Sequence, residues 1–155
     1  MLKITDFLTQ SSIDLLPYQN AAIDGFLLNQ NGIIEAPTGR GKTMAMALAI
    51  INDSLHHKKR PKVLWVTPMR ALARDTGHQL TRIFSAFFDD FKLVLRTSDA
   101  SSYQKKKARE NAWDLLITTP ESCALFTTYN DMRAVLANVD VVVVDEWHVL
   151  VHQKR

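Results

Sequence analysis

The chain has 155 residues, 46% of them hydrophobic and 23% charged, with a formal net charge of +3. That length suits one compact domain burying roughly two-thirds of its unfolded surface, and no apolar run approaches the ~20 residues that cross a bilayer. The start, MLKITDFLTQ, lacks the basic flank, apolar stretch and cleavage site of a secretory signal, and the lone Cys123 cannot form an internal disulfide, which fits a reducing cytoplasm. The basic runs at 56–60 and 105–109 read as solvated loop and helix faces.

In chain order, Tyr18 to Leu28 reads as helical, and Asn31-Gly32 turns into a short apolar run, Ile33-Ile34-Glu35, expected as the first strand. Beyond a Gly-rich loop, Met44, Leu48, Ile51 and Leu55 recur on one face of a helix from Lys42 to Leu55. Val63-Leu64-Trp65-Val66 is a β-branched and aromatic strand ended by Thr67-Pro68, and a helix is expected from Arg70 to Phe87. Phe91–Leu95, Leu115–Thr118 and Val139–Val144 supply three more strands, with helical stretches between them. Because Val141-Val142-Val143-Val144 does not alternate, the sheet is expected to be mostly parallel with helices on both faces. The strand order stays open at this point.

The strongest local signal is Ala36-Pro37-Thr38-Gly39-Arg40-Gly41-Lys42-Thr43. Glycines admit positive φ, so successive N–H groups can close around an anion, and the following helix N-terminus adds favourable dipole charge. Thr38, Gly39, Arg40 and Gly41 would cradle phosphate, Lys42 would reach the β- and γ-phosphates of ATP, and the Thr43 hydroxyl would ligate Mg²⁺. The strict G-x-x-x-x-G-K-[ST] pattern fails at Ala36, where the first Gly should stand.

The second signal is Asp145-Glu146 at the C-terminal end of the valine strand, where α/β sheets place ligand sites. Asp145 is expected to hold Mg²⁺ through water, and Glu146 to orient or deprotonate the water that attacks the γ-phosphate. Alone, two acids after a strand say little. Joined to the glycine-rich loop they point to nucleotide hydrolysis.

Asp145-Glu146-Trp147-His148 resembles motif II of the superfamily 2 DExH-box helicases, and the Ala36 variant of the loop is common among them. The stretches at 66–75 (VTPMRALARD), 96–102 (RTSDASS) and 117–122 (ITTPES) are similar to the Lhr-like helicases, and most of all to their ligase-associated subgroup. The likeness runs over about residues 17–155. It implies an α/β fold of the RecA-like P-loop NTPase kind, read as one N-terminal ATP-binding domain over 1–155. It implies further that Gln19, after Pro17-Tyr18, reads adenine; that His148 couples nucleotide state to the rest of the motor; and that Thr67-Pro68 with Arg70, and Thr118-Thr119-Pro120, grip the backbone of a single strand of nucleic acid, DNA in the first place. Trp147 replaces a smaller residue and is expected to pack against a helix. DNA repair and a DNA ligase partner come from the subgroup likeness alone.

The chain ends shortly after motif II, so a second RecA-like domain is expected to be missing. An arginine finger supplied by such a domain can be worth ~10³–10⁵ in rate, so the chain alone is expected to turn ATP over slowly or not at all. A stand-alone nucleotide or nucleic-acid binding module is the alternative reading. A metabolic kinase is disfavoured, because it would leave the Gln, Thr-Pro and DEWH signals as coincidences.

Overall fold

The structure is a computed structural model, and it describes residues 3–152, with the side chains of Arg70 and of residues 150–152 outside the description. The elements in order are α1 (Ile4–Gln10), α2 (Pro17–Leu27), α3 (Lys42–His56), β1 (Val63–Val66), α4 (Arg70–Phe84), β2 (Leu93–Arg96), α5 (Ser102–Arg109), β3 (Leu115–Thr118), α6 (Pro120–Phe126), α7 (Asn130–Leu136), β4 (Val141–Val144) and α8 (Trp147–His152). The chain forms two compact units: the residues up to Arg60 with Leu80–Asp90, and Pro61–Gln79 with the residues from Phe91 onward.

In the first unit α2 packs against α3. From Ala45 to Ile51 α3 is buried around most of its circumference, and three alanines in that stretch allow close approach. Phe84 and Phe88 stack with ring centroids 6.3 Å apart, and Phe7 of α1 tilts against Phe87 at 5.1 Å. The expected strand at Ile33-Ile34-Glu35 does not form; residues 30–37 have no regular secondary structure, and Ile33 is 75% exposed. A run of three apolar or charged residues becomes a strand only where another strand pairs with it, and none does here.

In the second unit four parallel strands lie in the order β2-β3-β1-β4. The two inner strands, β1 and β3, are buried at every residue, as continuous apolar runs in a helix-covered parallel sheet should be. Helices cover both faces of this sheet. On one, Ala108, Phe126, Met132 and Val135 from α5, α6 and α7 meet Leu64, Val66, Val94 and Leu116. On the other, Gly77 of α4 lies over Leu93, Leu95 and Ile117.

The base of the sheet is tied together by Lys62, whose carbonyl accepts from Asp140 N–H at 2.9 Å and whose Nζ donates to the carbonyls of Asn111, at 2.9 Å, and Trp113. The ammonium also sits 4.0 Å from the centre of the Trp113 ring. Burial holds its pKa below the ordinary lysine value, against the opposing pull of Asp114 and Asp140.

Two expectations shift at β4. The strand spans Val141–Val144 and not 139–144, and it is not covered on both faces: Val142 is 60% and Val144 46% exposed. β4 is the last strand of the row, so half its neighbours are missing by position alone. Likewise β2 begins at Leu93 and α4 stops at Phe84.

Gly77 sits inside α4, yet a Cβ there would meet Leu95 at 3.4 Å, Ile117 at 3.6 Å and Leu93 at 3.7 Å, all ordinary contact distances. Gly77→Ala should therefore stabilise the protein by about 0.5–1 kcal/mol, through the backbone entropy that glycine loses in a helix. Urea denaturation with an unchanged m-value would measure it; destabilisation would show that α4 cannot accept even a methyl group against this sheet.

Candidate functional site

The glycine-rich loop folds as its composition dictates. Gly39 and Gly41 take φ of +75° and +84°, values that side chains disfavour, and Gly41 is the N-cap of α3. Lys42 is half-buried, and its Nζ donates to the carbonyls of Ala36 at 2.9 Å and Pro37 at 3.3 Å, so the ammonium is folded back into the loop. Thr38, Gly39 and Arg40 are exposed and Thr43 is half-buried. The loop thus presents the start of a fifteen-residue helix and a lysine at one place.

Gln19 is 5% exposed, and its amide is committed to the chain. Oε1 accepts from the Leu16 N–H at 2.8 Å, half of a capping box at the start of α2. Nε2 donates to the carbonyls of Gly41 at 3.1 Å and Arg40 at 3.5 Å. Tyr18 donates its hydroxyl to the Arg40 carbonyl at 2.5 Å. The start of α2 is therefore a clasp on the phosphate loop. Oε1 has accepted one bond of its two, whereas both Nε2 hydrogens are engaged, so donation to a base would require one of them to exchange.

In the second unit the acids sit where the sequence placed them, at the C-terminal end of β4. Asp145 N–H bonds to the Val66 carbonyl at 2.8 Å, which carries the pairing with β1 one residue past the strand. Glu146 then takes φ of +47°, a left-handed conformation costing a non-glycine residue about 1–2 kcal/mol. That turn brings the Glu146 N–H back onto Asp145 Oδ1 at 3.0 Å. The other oxygen, Oδ2, lies 3.4 Å from the indole Nε1 of Trp65, a buried residue of β1. His148 Nδ1 is 3.4 Å from Glu146 Oε2, so the residue expected to couple touches the residue expected to activate water. Trp147 is 48% exposed.

The expected nucleic-acid contacts reach the right end of the sheet, but their hydroxyls turn inward. Thr67, Thr118 and Thr119 are at most 3% exposed. Thr118 Oγ1 donates to the Arg96 carbonyl at 2.7 Å, while Thr119 caps α6, accepting from Ser122 N–H at 3.5 Å. Pro68 and Pro120 are half-buried, and the Arg70 side chain lies outside the described residues. The 105–109 run engages its own surroundings: Lys106 pairs with Glu110, Arg109 with Asp131, and Lys107 covers Tyr103.

The DEAD/DEAH box helicase family matches residues 16–155. The chain is 34% identical to the ATP-dependent helicase Lhr-Core protein 2 of Thermococcus barophilus over 90% of its own length and 18% of that protein's. It is 30% identical to the ATP-dependent helicase Lhr-Core of Saccharolobus solfataricus over 98% of this chain and 19% of that one. Among solved structures, Mycobacterium smegmatis helicase Lhr bound to ssDNA and AMP-PNP superimposes with a TM-score of 0.77 at 30% identity, covering 96% of this chain and 20% of that one. The DUF1998 helicase MrfA bound to DNA and AMPPNP gives 0.79 at 25% identity, over 92% and 20%. The chain spans about a fifth of the length of the relatives it matches.

A Cβ on Gly41 would lie 2.8 Å from Gln19 Nε2 and carry a φ of +84°. Gly41→Ala should cost about 1–2 kcal/mol from the backbone alone, plus the clash. Adding Gln19→Ala should recover the second part and not the first. Denaturation of the two single variants and the double variant measures this; strict additivity would mean that Gln19 does not press on the loop.

Proposed function

We propose, for a chain that belongs to the DEAD/DEAH box helicase family, that it is a single RecA-like ATP-binding domain of an ATP-dependent nucleic-acid motor. Hydrolysis and strand movement are assigned to the longer protein, since the relatives are about five times the length of this chain. The observation that carries the reading is the loop at 36–43, with two glycines at positive φ closing onto the first turn of α3 and Lys42 inside it.

In this reading the loop N–H groups and α3 hold the phosphates, and Lys42 exchanges the Ala36 and Pro37 carbonyls for phosphate oxygens. Gln19 exchanges part of its clasp for adenine, linking base recognition to the loop's shape. The Thr43 hydroxyl and the Asp145 carboxylate are hard oxygen donors and suit Mg²⁺. Mg²⁺ is commonly held by one or two protein oxygens together with substrate phosphates, and these two side chains would be the protein's share. The chemistry Mg²⁺ would supply there is neutralisation of charge on the β- and γ-phosphates. Glu146 orients the attacking water, and His148 senses the state of Glu146 through their contact.

For the nucleic acid, single-stranded DNA is the favoured partner; the solved Lhr and MrfA structures are bound to ssDNA and DNA. With Thr67, Thr118 and Thr119 turned inward, the grip at this sheet end falls to backbone N–H groups and to neighbours such as Met69, which is 55% exposed. Such contacts position a strand without reading it. A cytoplasmic setting is part of the proposal on the lone Cys123, and DNA repair and a ligase partner on sequence likeness alone.

Calorimetry should find Mg²⁺–ATP bound by this chain and lost in Lys42→Ala, while Glu146→Gln binds nearly as wild type. Equal affinity in Lys42→Ala would remove the loop from the site.

Fluorescence anisotropy across a salt series should show single-stranded oligonucleotides bound with little sequence preference and with affinity falling steeply as salt rises. A flat salt response would sink the backbone-contact proposal.

A further inference from the structure

Two of the three tryptophans of this chain are buried, and they use their indole N–H groups differently. A buried indole needs an acceptor. Trp113 donates to the Ala108 carbonyl at 3.1 Å, a main-chain bond five residues away that closes the end of α5. Trp65 donates to a side chain on another strand, Asp145 Oδ2 at 3.4 Å. In the sheet Trp65 stands level with Ile117 on β3 and Val143 on β4, positions filled by aliphatic residues. Packing alone asks for nothing more than an apolar side chain in that row.

The consequence falls on Asp145. One of its oxygens accepts from the Glu146 N–H, just past β4, and the other from the Trp65 indole N–H on β1. A carboxylate fixed in advance loses little rotamer freedom when it meets a cation or its water shell, and donors behind metal-binding groups commonly matter for affinity. We propose that Trp65 is a positioning residue for Asp145, its buried indole N–H holding the carboxylate in the orientation that meets nucleotide-bound Mg²⁺. This rests on the Mg²⁺–nucleotide reading above.

The test is calorimetric binding of AMP-PNP to the 155-residue chain, once in excess Mg²⁺ and once in EDTA. The readout is the ratio of the two affinities. Wild type should show a Mg²⁺ enhancement. Trp65→Phe should lose roughly tenfold of it with the EDTA affinity unchanged, and should add nothing further in an Asp145→Asn background. Because Trp65→Phe also leaves a cavity, a second variant carries 3-benzothienylalanine at 65, which keeps the bicyclic shape and replaces N–H by sulfur. It should show the same loss with the thermal midpoint nearly unchanged. In ¹⁵N-labelled wild type, the Trp65 indole resonance, assigned by the variant, should move on adding Mg²⁺ to the AMP-PNP complex. Retained enhancement in the benzothienyl variant, or equal losses in Mg²⁺ and EDTA, overturns the positioning role while leaving the Mg²⁺–nucleotide reading intact. No enhancement in wild type brings down that reading, and the role of Trp65 with it.

Discussion

The position of the paired acids depends on the register of four short parallel strands. Val66, Thr118 and Val144 stand in one row, with Arg96 level with Thr118. The next residue of each strand therefore leaves the sheet at the same height: Thr67, Thr119, Asp145 and Thr97. A one-residue slip of β4 against β1 would move Asp145 out of that row and turn its side chain to the other face. Bonds beyond both ends of the pairing oppose such a slip: Asp140 N–H to the Lys62 carbonyl at the base, and Asp145 N–H to the Val66 carbonyl at the top. Strands of four residues have few ladder bonds of their own, so these extensions carry much of the specification.

That dependence explains what could be read from residues alone. The parallel, helix-covered sheet was legible because Val63–Val66 and Leu115–Thr118 are unbroken apolar runs, and only burial on both faces makes such runs tolerable. The glycine-rich loop was legible because positive φ restricts the choice of residue, at Gly39 and Gly41. Ile33-Ile34-Glu35 misled because a strand is a property of a pair; local composition cannot say whether a partner lies alongside. The exposure of Val142 and Val144 was hidden for the same reason, since strand order is absent from the linear sequence.

Site contacts divide along the same line. Lys42, Asp145 and Glu146 could be named because their chemistry is tied to position within a short motif. The Tyr18–Arg40 and Trp65–Asp145 contacts could not, because each joins segments far apart in the chain through residues that read as ordinary core or helix positions. Glu146 carried no sign of its φ of +47° either. A glutamate is a poor choice for that conformation on backbone grounds.

The threonines at the sheet end show where polarity inside this domain is affordable. Thr118 and Thr119 are buried and bonded, and each replaces a main-chain partner lost as a strand ends: Thr118 takes up the Arg96 carbonyl, and Thr119 accepts from the Ser122 N–H in the first turn of α6. Thr67 is equally buried, but its Oγ1 has no hydrogen-bond partner. Leaving a buried hydroxyl unsatisfied costs about 1–3 kcal/mol relative to a bonded one, whereas valine would fit the same space without a polar atom to desolvate. The unpaired hydroxyl of Thr67 is therefore a local cost in this structure, placed directly before Pro68-Met69 and the first turn of α4.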